Sequence, residues 1–193
     1  MDSKYKLIID TFGKDRFKRD ELLSEHTALS AGGPAKLFFI AFSESELIKI
    51  VTMCRDLQLP FFLFGSGTKI MISDAGFNGL VIKNRTKEIE TVSIKGKASR
   101  VGIGIEEALV EVSSGVSVAR FAEFLNSHGL NWDEFKSLPG TVGGNLFLSK
   151  TLQTKIKSIK VLSLRSQTEE IPAGQLSLKK HIVLSAVFRI KAK

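Results

Sequence analysis

The stretch Phe61–Ile82, FFLFGSGTKIMISDAGFNGLVI, decides the fold of the first part of the chain. Its opening residues Phe61–Phe64 are apolar and aromatic, which predicts a short buried strand, and Gly79–Ile82 predicts a second one. Between them lies Gly65-Ser66-Gly67-Thr68. Because glycine adopts positive φ angles, successive backbone N–H groups of this loop can point towards one spot, as a phosphate group requires. An ordinary loop with turn glycines is the alternative interpretation.

The composition predicts a globular protein, because 43% hydrophobic residues in a chain of 193 are enough for a core. No apolar run approaches the roughly 18 residues that span a bilayer, and Met1–Lys14 contains acidic residues, so we expect a soluble cytoplasmic protein without membrane contact. The single cysteine, Cys54, is expected to be a buried structural thiol. The histidines His26, His128 and His181 show no ligand spacing, so no metal site is predicted.

The net charge of +8 favours an anionic partner: a nucleotide, a nucleotide sugar or a nucleic acid. The lysines are spread over residues 83–97, 150–160 and 179–193, without an arginine-rich run or interleaved stacking aromatics. A nucleic-acid surface would show such patterns, so we disfavour nucleic acid and expect most of these lysines on solvated faces.

The first half of the chain predicts a compact α/β lobe. A helix is predicted over Tyr5–Phe12 and a strand over Lys36–Ala41. Ser43, followed by Glu46, forms a capping-box pattern that begins a second helix, and Pro60 ends it. The resulting order is strand, helix, strand, glycine loop and strand, which closes this lobe near Lys83.

The second half predicts a mostly antiparallel sheet with a helix over Val116–His128, because the connections between its first strands are short. Turns are expected at Gly96 and near Glu106. The strands are predicted over Ile89–Ile94, Ala98–Ile103, Ala108–Val112, Ile156–Leu164 and His181–Ile190.

A second glycine-rich segment, Leu138–Gly144, has the sequence LPGTVGG. Its proline fixes φ and its glycines carry no side chain, so backbone here can lie close to a flat or charged ligand. We expect residues 65–70 and 139–144 to line a common cleft.

Three segments taken together, HTALSAGGPAKLFF (26–39), FGSGTKIMISDAGFNGLVI (64–82) and LPGTVGGN (138–145), resemble the UDP-N-acetylenolpyruvoylglucosamine reductase (MurB) family. These are flavoenzymes of peptidoglycan synthesis. The likeness also includes residues 112–130 and 181–190. It implies an α+β fold, a two-lobed FAD-binding domain of the vanillyl-alcohol oxidase and p-cresol methylhydroxylase type, with lobes at residues 1–83 and 84–193.

The resemblance also implies where FAD binds. The pyrophosphate is assigned to Gly65, Ser66, Gly67, Thr68, Lys69 and Ile70, and the flavin side to Pro139, Gly140, Thr141, Val142, Gly143 and Gly144. The small-residue turn Ser113, Ser114 and Gly115 is placed beside the flavin, and Ile182 with Val183 near the adenine. A plain turn is the alternative for Ser113 and Ser114. Lys69 departs from the family, which usually has Asn at this place.

The residues of the family's catalytic step have no matching positions, so we assign none. The Tyr-Arg-x-Ser segment is absent, since Ser166–Lys180 contains neither Tyr nor Arg. The stretch after Gly144 also differs from the family's Gly-Ala-rich sequence. The chain ends at Lys193, before the family's third domain, which supplies a proton-donating serine and a carboxylate.

Three functional hypotheses follow from the resemblance. In the first, FAD accepts hydride from NADPH and reduces the enolpyruvyl group of a UDP-sugar, slowly in the isolated chain because the acid and the arginine are missing. In the second, the chain is a non-catalytic or degenerate flavin-binding module with an assembly or regulatory role. In the third, it is a fragment, or a partner chain supplies the missing domain.

Overall fold

The computed structural model describes residues 3–99, 102–132, 135 and 137–192. The chain divides into two compact units, Met1–Thr86 and Lys87–Lys193. Each unit combines helices with one β-sheet, and the chain as a whole is of the α+β class. None of the helices in the described ranges is long and apolar enough to cross a membrane.

The first unit contains one sheet in which the order of strands is β1-β3-β5-β4, and β2 also pairs with β3. Strands β3, β5 and β4 run parallel, whereas β1 and β2 are antiparallel to β3. The elements are α1 (Ser3–Phe12), β1 (Phe17–Lys18), β2 (Glu21–Leu22), β3 (Pro34–Ala41), α2 (Glu44–Asp56), β4 (Phe61–Phe64) and β5 (Phe77–Asn84).

Helix α2 begins where the capping pattern predicts. The Ser43 hydroxyl accepts a hydrogen bond from the Glu46 N–H at 3.2 Å, and the Glu46 carboxylate accepts one from the Phe42 N–H at 2.9 Å. The same carboxylate pairs with Arg16 at 2.6 Å. The apolar face of the helix is fully buried and consists of Leu47, Ile50, Val51 and Cys54.

Strand β4 is less buried than its apolar sequence predicts. Only Phe64 is buried, and Phe61, Phe62 and Leu63 are partly exposed. The physical reason is position, because β4 is the last strand of the sheet and pairs only with β5.

The second unit contains an antiparallel sheet with the strand order β6-β7-β10-β8-β9, which confirms the predicted antiparallel pairing. Its elements are β6 (Ile89–Ser99), β7 (Gly102–Ser113), α3 (Val118–Ser127), α4 (Val142–Leu148), α5 (Lys150–Gln153), β8 (Ile156–Leu162), β9 (Thr168–Ile171) and β10 (Ile182–Lys191).

The predicted turns at Gly96 and near Glu106 are wrong. Gly96 lies within β6 and pairs with Ile105 of β7, and the register shifts only locally between Lys95 and Gly96. Glu106 lies inside β7. The expected strand Ala98–Ile103 is divided between β6 and β7, and its residues 100 and 101 lie outside the described ranges.

An aromatic cluster holds α3 against the sheet of the second unit. The ring of Phe121 lies 4.9 Å from that of Trp132 and 5.1 Å from that of Phe188, measured between centroids. All three side chains are buried. Such tilted and edge-on aromatic pairs add to the stabilisation that burial of apolar surface already provides.

We predict that Cys54 is chemically inert in the native protein. Burial raises the pKa of its thiol to about 12, so the reactive thiolate is scarce at mildly alkaline pH. Native protein should therefore resist N-ethylmaleimide and react stoichiometrically once unfolded in urea, as followed by mass spectrometry. Labelling of the native protein at the rate of an exposed thiol would contradict this burial.

Candidate functional site

The first predicted ligand segment, residues 65–70, is a loop at the carboxyl end of β4. Strands β4 and β5 run parallel, and Phe64 at the end of β4 pairs in register with Lys83. In open α/β sheets, ligands bind beyond the carboxyl ends of parallel strands. The loop therefore lies at the edge of the first sheet where a ligand is expected.

The loop offers backbone donors. Within the described part of the chain, the N–H groups of Ser66, Gly67 and Thr68 donate no backbone hydrogen bond. The exposed hydroxyls of Ser66 and Thr68 lie 3.1 Å apart. Successive amides without partners, flanked by hydroxyls, are the donor set of a phosphate or other anion. Lys69 is exposed, whereas Ile70 packs partly against the core of the first unit.

Gly67 is required by the chain itself. Its φ angle is +74°, and a Cβ atom there would lie 2.1 Å from the carbonyl oxygen of His26. The Gly67 carbonyl in turn accepts a hydrogen bond from the Ala28 N–H at 3.1 Å. The loop thus rests directly on the His26–Ala28 backbone, and a side chain at residue 67 would disturb that contact whether or not a ligand is bound.

The structure brings together the three predicted segments of the second unit. The Ser114 N–H donates to the Leu184 carbonyl at 2.8 Å, next to Val183. The Ser114 carbonyl accepts from the Gly143 N–H at 2.9 Å. Residues 113–115, 139–144 and 182–183 therefore lie side by side. The solvent-accessible members of this surface are Gly115, Pro139, Gly140, Gly144 and Ile182, whereas Ser113, Ser114, Thr141, Val142, Gly143 and Val183 are buried.

This second surface differs from the first loop because its N–H groups are largely used by the chain. The Val142 N–H donates to the Val116 carbonyl at 2.8 Å, and the Gly144 N–H to the Thr141 hydroxyl at 3.4 Å. Thr141 caps α4, so Val142–Gly144 form the first helical turn and not the loop that the glycines predict. A ligand at this surface would therefore meet backbone atoms and small side chains, and few N–H groups that can still donate a hydrogen bond.

Several side chains of this surface point into the core. Val142 and Val183 are only 1% and 4% exposed and belong to the hydrophobic core of the second unit. Neither side chain is therefore available to a ligand. Ile182 is partly exposed at the start of β10.

Sequence reasoning missed Asn145, which holds the glycine segment in place. Its side chain is buried, and its Nδ2 donates to the carbonyls of Pro139 at 3.0 Å and Thr141 at 2.9 Å. An asparagine directly after paired glycines was the available signal, since such a side chain commonly bonds nearby backbone.

Two serine–carboxylate pairs beside this surface were also missed. The Ser113 hydroxyl donates to Glu88 at 2.9 Å, and the Ser185 hydroxyl to Glu111 at 2.6 Å. Partial burial raises the pKa of Glu88, but hydrogen bonds from Ser113 and from the Lys87 N–H outweigh it, and the net pKa lies below the usual value. Glu88 is therefore ionised at neutral pH and fixes the Ser113 hydroxyl as a donor to it.

The paired glycines provide a matched test of the contact with Ser114. A Cβ at residue 143 would lie 2.7 Å from the Cβ of Ser114, whereas a Cβ at residue 144 would meet only the Thr141 hydroxyl at 3.5 Å. Gly143→Ala should therefore lower the free energy of unfolding by about 1–3 kcal/mol. Gly144→Ala should be neutral, or stabilising by up to about 1 kcal/mol through helix propensity. Urea denaturation measures both, and equal effects would contradict the close approach at residue 143.

Comparison with known proteins assigns this chain to a family. The family model of the FAD binding domain matches residues 35–148, more than half of the chain. The UDP-N-acetylenolpyruvoylglucosamine reductase of Desulfosudis oleivorans is 31% identical over 147 residues, which cover 75% of this chain and 44% of that protein. The chain spans about half the length of the curated relatives it matches.

Solved structures show the same fold. The MurB structure from Thermus caldophilus superposes with a TM-score of 0.61 at 19% identity, covering 92% of this chain and 62% of that one. The p-cresol methylhydroxylase structure also gives a TM-score of 0.61, at 12% identity, covering all of this chain (100%) and 44% of the other. The predicted fold is thereby confirmed. The chain belongs to the FAD binding domain family, and it is similar in sequence to UDP-N-acetylenolpyruvoylglucosamine reductases.

Proposed function

We propose that this chain binds FAD and exchanges electrons with NADPH, as the flavin-binding part of a system that reduces an enolpyruvyl UDP-sugar in peptidoglycan synthesis. The observation that carries the proposal is that the N–H groups of Ser66, Gly67 and Thr68 donate no backbone hydrogen bond within the described residues. They lie at the carboxyl end of β4, within the region that matches the FAD binding domain.

The diphosphate of FAD is assigned to residues 65–70. A diphosphate needs several donors without side-chain bulk, and the amides and hydroxyls of this loop are donors of that kind. The exposed Lys69 adds a cation to the same loop. Contact of the loop with the His26–Ala28 backbone keeps it in one conformation, so little order has to be gained on binding.

The flavin and adenine are assigned to the backbone surface of the second unit. Residues 113–115 and 139–144 present small side chains and backbone already engaged in hydrogen bonds, which suits a planar ring better than a charged group. The backbone of Ile182 and Val183 is assigned to the adenine side. When bound, FAD supplies a two-electron carrier that accepts hydride from a nicotinamide and passes it on.

Reduction of the enolpyruvyl group needs more than these residues. An arginine must hold the substrate carboxylate and an acid must protonate carbon, yet Ser166–Lys180, where the resemblance would place the arginine, contains none. We therefore propose that a partner chain or a further domain handles the UDP-sugar. The same departures favour a second candidate, a non-catalytic flavin-binding module with an assembly or regulatory role.

FAD should protect both assigned segments. Hydrogen exchange with and without FAD is expected to show slower exchange in residues 65–70 and in residues 139–144, because one extended ligand contacts both. Strand β9 (Thr168–Ile171) serves as the internal control and should not change. Protection of only one segment would contradict the joint assignment.

The two half-reactions separate the proposed activity from the module hypothesis. FAD-loaded protein mixed anaerobically with NADPH should lose its flavin absorbance. Reoxidation by the enolpyruvyl UDP-sugar should be at least about a hundredfold slower than in a three-domain family member, since a missing general acid costs about 10² to 10⁴ in rate. Fast turnover by the 193-residue chain alone would overturn the need for outside residues. A protein that takes up no FAD would favour the degenerate module.

A further inference from the structure

His26 contacts one residue from each of three strands of the first unit, and its side chain is only 14% exposed. Its ring stacks on Phe38 of β3, with the centroids 4.4 Å apart and the planes 9° from parallel. Its Nε2 lies 2.9 Å from the Glu21 carboxylate of β2, and its Nδ1 lies 3.3 Å from Nζ of Lys83 in β5. Both ring nitrogens are thus engaged by charged groups.

These two partners select one tautomer of His26. An ammonium group donates hydrogen bonds and cannot accept them, so Nδ1 must be the acceptor facing Lys83. The ring proton therefore resides on Nε2, where it is donated to Glu21. Glu21 is also bonded to Lys18 of β1 at 2.6 Å. Partial burial raises the pKa of Glu21, but the hydrogen bonds from Lys18 and His26 prevail, and the net pKa is lowered, so the acceptor stays ionised.

The same histidine supports the glycine loop at two places. Its backbone carbonyl contacts Gly67 where a Cβ would lie at only 2.1 Å. Its side-chain partner Lys83 pairs in register with Phe64, the residue before Gly65, and the Lys83 Nζ lies 5.8 Å from the Phe64 ring centroid. Side chain and backbone of His26 thus connect the start of the loop to its middle.

We propose that His26 is a positioning residue for residues 65–68, and that it acts as the neutral tautomer that accepts from Lys83 at Nδ1. The inference rests on the proposed function only in naming FAD as the ligand of that loop. Adding a proton to Nδ1 would place a second donor against the Lys83 ammonium. The contact with Lys83 would then be lost while the contact with Glu21 remained, and the loop would lose its side-chain support.

The charged groups around His26 determine whether a proton on Nδ1 would strengthen or weaken its contact with Lys83. Glu21 faces it from β2 and Lys83 from β5, with Lys18 beside Glu21 and Arg85 near Lys83. Burial, with a smaller contribution from Arg85, lowers the pKa of Lys83, and a further positive charge on His26 would oppose the ammonium again. A donor at Nδ1 would therefore weaken the connection to Lys83 of β5.

Two near-isosteric variants separate the partners. The Asn side chain reaches the position of Nδ1, so His26→Asn keeps an acceptor for Lys83 and loses Glu21. The Gln side chain reaches the position of Nε2, so His26→Gln keeps Glu21 and loses Lys83. We expect His26→Gln, and not His26→Asn, to lower the exchange protection of the Ala28 amide, which donates to Gly67, by about tenfold.

Lys83→Met leaves the histidine in place, and it should lower the exchange protection of the Ala28 amide as much as His26→Gln does. His128→Gln is the control, because His128 is an exposed histidine of the second unit. Nitrogen-15 NMR of the FAD-free protein should show the proton of His26 on Nε2.

The outcomes distinguish this inference from the proposed function. A proton on Nδ1, or equal Ala28 protection in His26→Gln and in the wild-type protein, would overturn the positioning role. If the proton lies on Nε2, if Ala28 protection falls in His26→Gln, and if FAD binds to that variant with at least about fivefold weaker affinity, both proposals stand. If the tautomer and the Ala28 protection are as expected but no FAD binds to the wild-type protein, His26 still positions the loop and FAD is the wrong ligand.

Discussion

Contact between backbone segments, made possible by glycine, is the constraint on which both candidate ligand surfaces depend. At Gly67 the loop after β4 lies against the His26 carbonyl, and at Gly143 the start of α4 lies against Ser114. In neither place is there room for a Cβ atom, at 2.1 Å and 2.7 Å from the nearest atoms. These contacts fix the loop and the helix start before any ligand arrives, which lowers the entropy that binding has to overcome.

The elements that the sequence predicts well are those specified by local chemistry. Ser43 and Glu46 mark the start of α2 because the cap is made of neighbouring residues, and the buried face of that helix follows its periodicity. The glycine-rich segments also stand out in the sequence, and two of the three predicted segments of the second unit, residues 113–115 and 139–144, are joined directly through Ser114 and Gly143.

The elements that the sequence does not predict are those specified by tertiary contacts. Helix α4 begins with Val-Gly-Gly, which has low helix propensity, and forms because Thr141 caps it, Gly143 bonds to Ser114 and Asn145 bonds back to Pro139. Gly96 is tolerated inside a long strand because the register shifts beside it. Strands β1 and β2 are two residues each, too short for any periodicity to indicate them.

The two units contribute different chemistry. The loop of the first unit has N–H groups without backbone acceptors in the described part of the chain. Most N–H groups of the second unit's surface, in contrast, donate hydrogen bonds within their own unit. Charge recognition is therefore expected from the first and ring contact from the second. The Glu21–His26–Lys83 contacts lie beside the donor loop, because the backbone carbonyl of the same histidine lies against Gly67.

We propose that the amides of Ser66, Gly67 and Thr68, which donate no backbone hydrogen bond within the described residues, bind the diphosphate of FAD. The most direct measurement is a series of ¹H–¹⁵N correlation spectra of the protein titrated with FAD and, separately, with riboflavin, which has the same ring but no phosphate. FAD should shift these three amide resonances downfield, as new hydrogen bonds to phosphate oxygens require, and riboflavin should leave them in place. FAD binding without a shift at these amides, or the same shifts with riboflavin, would contradict it.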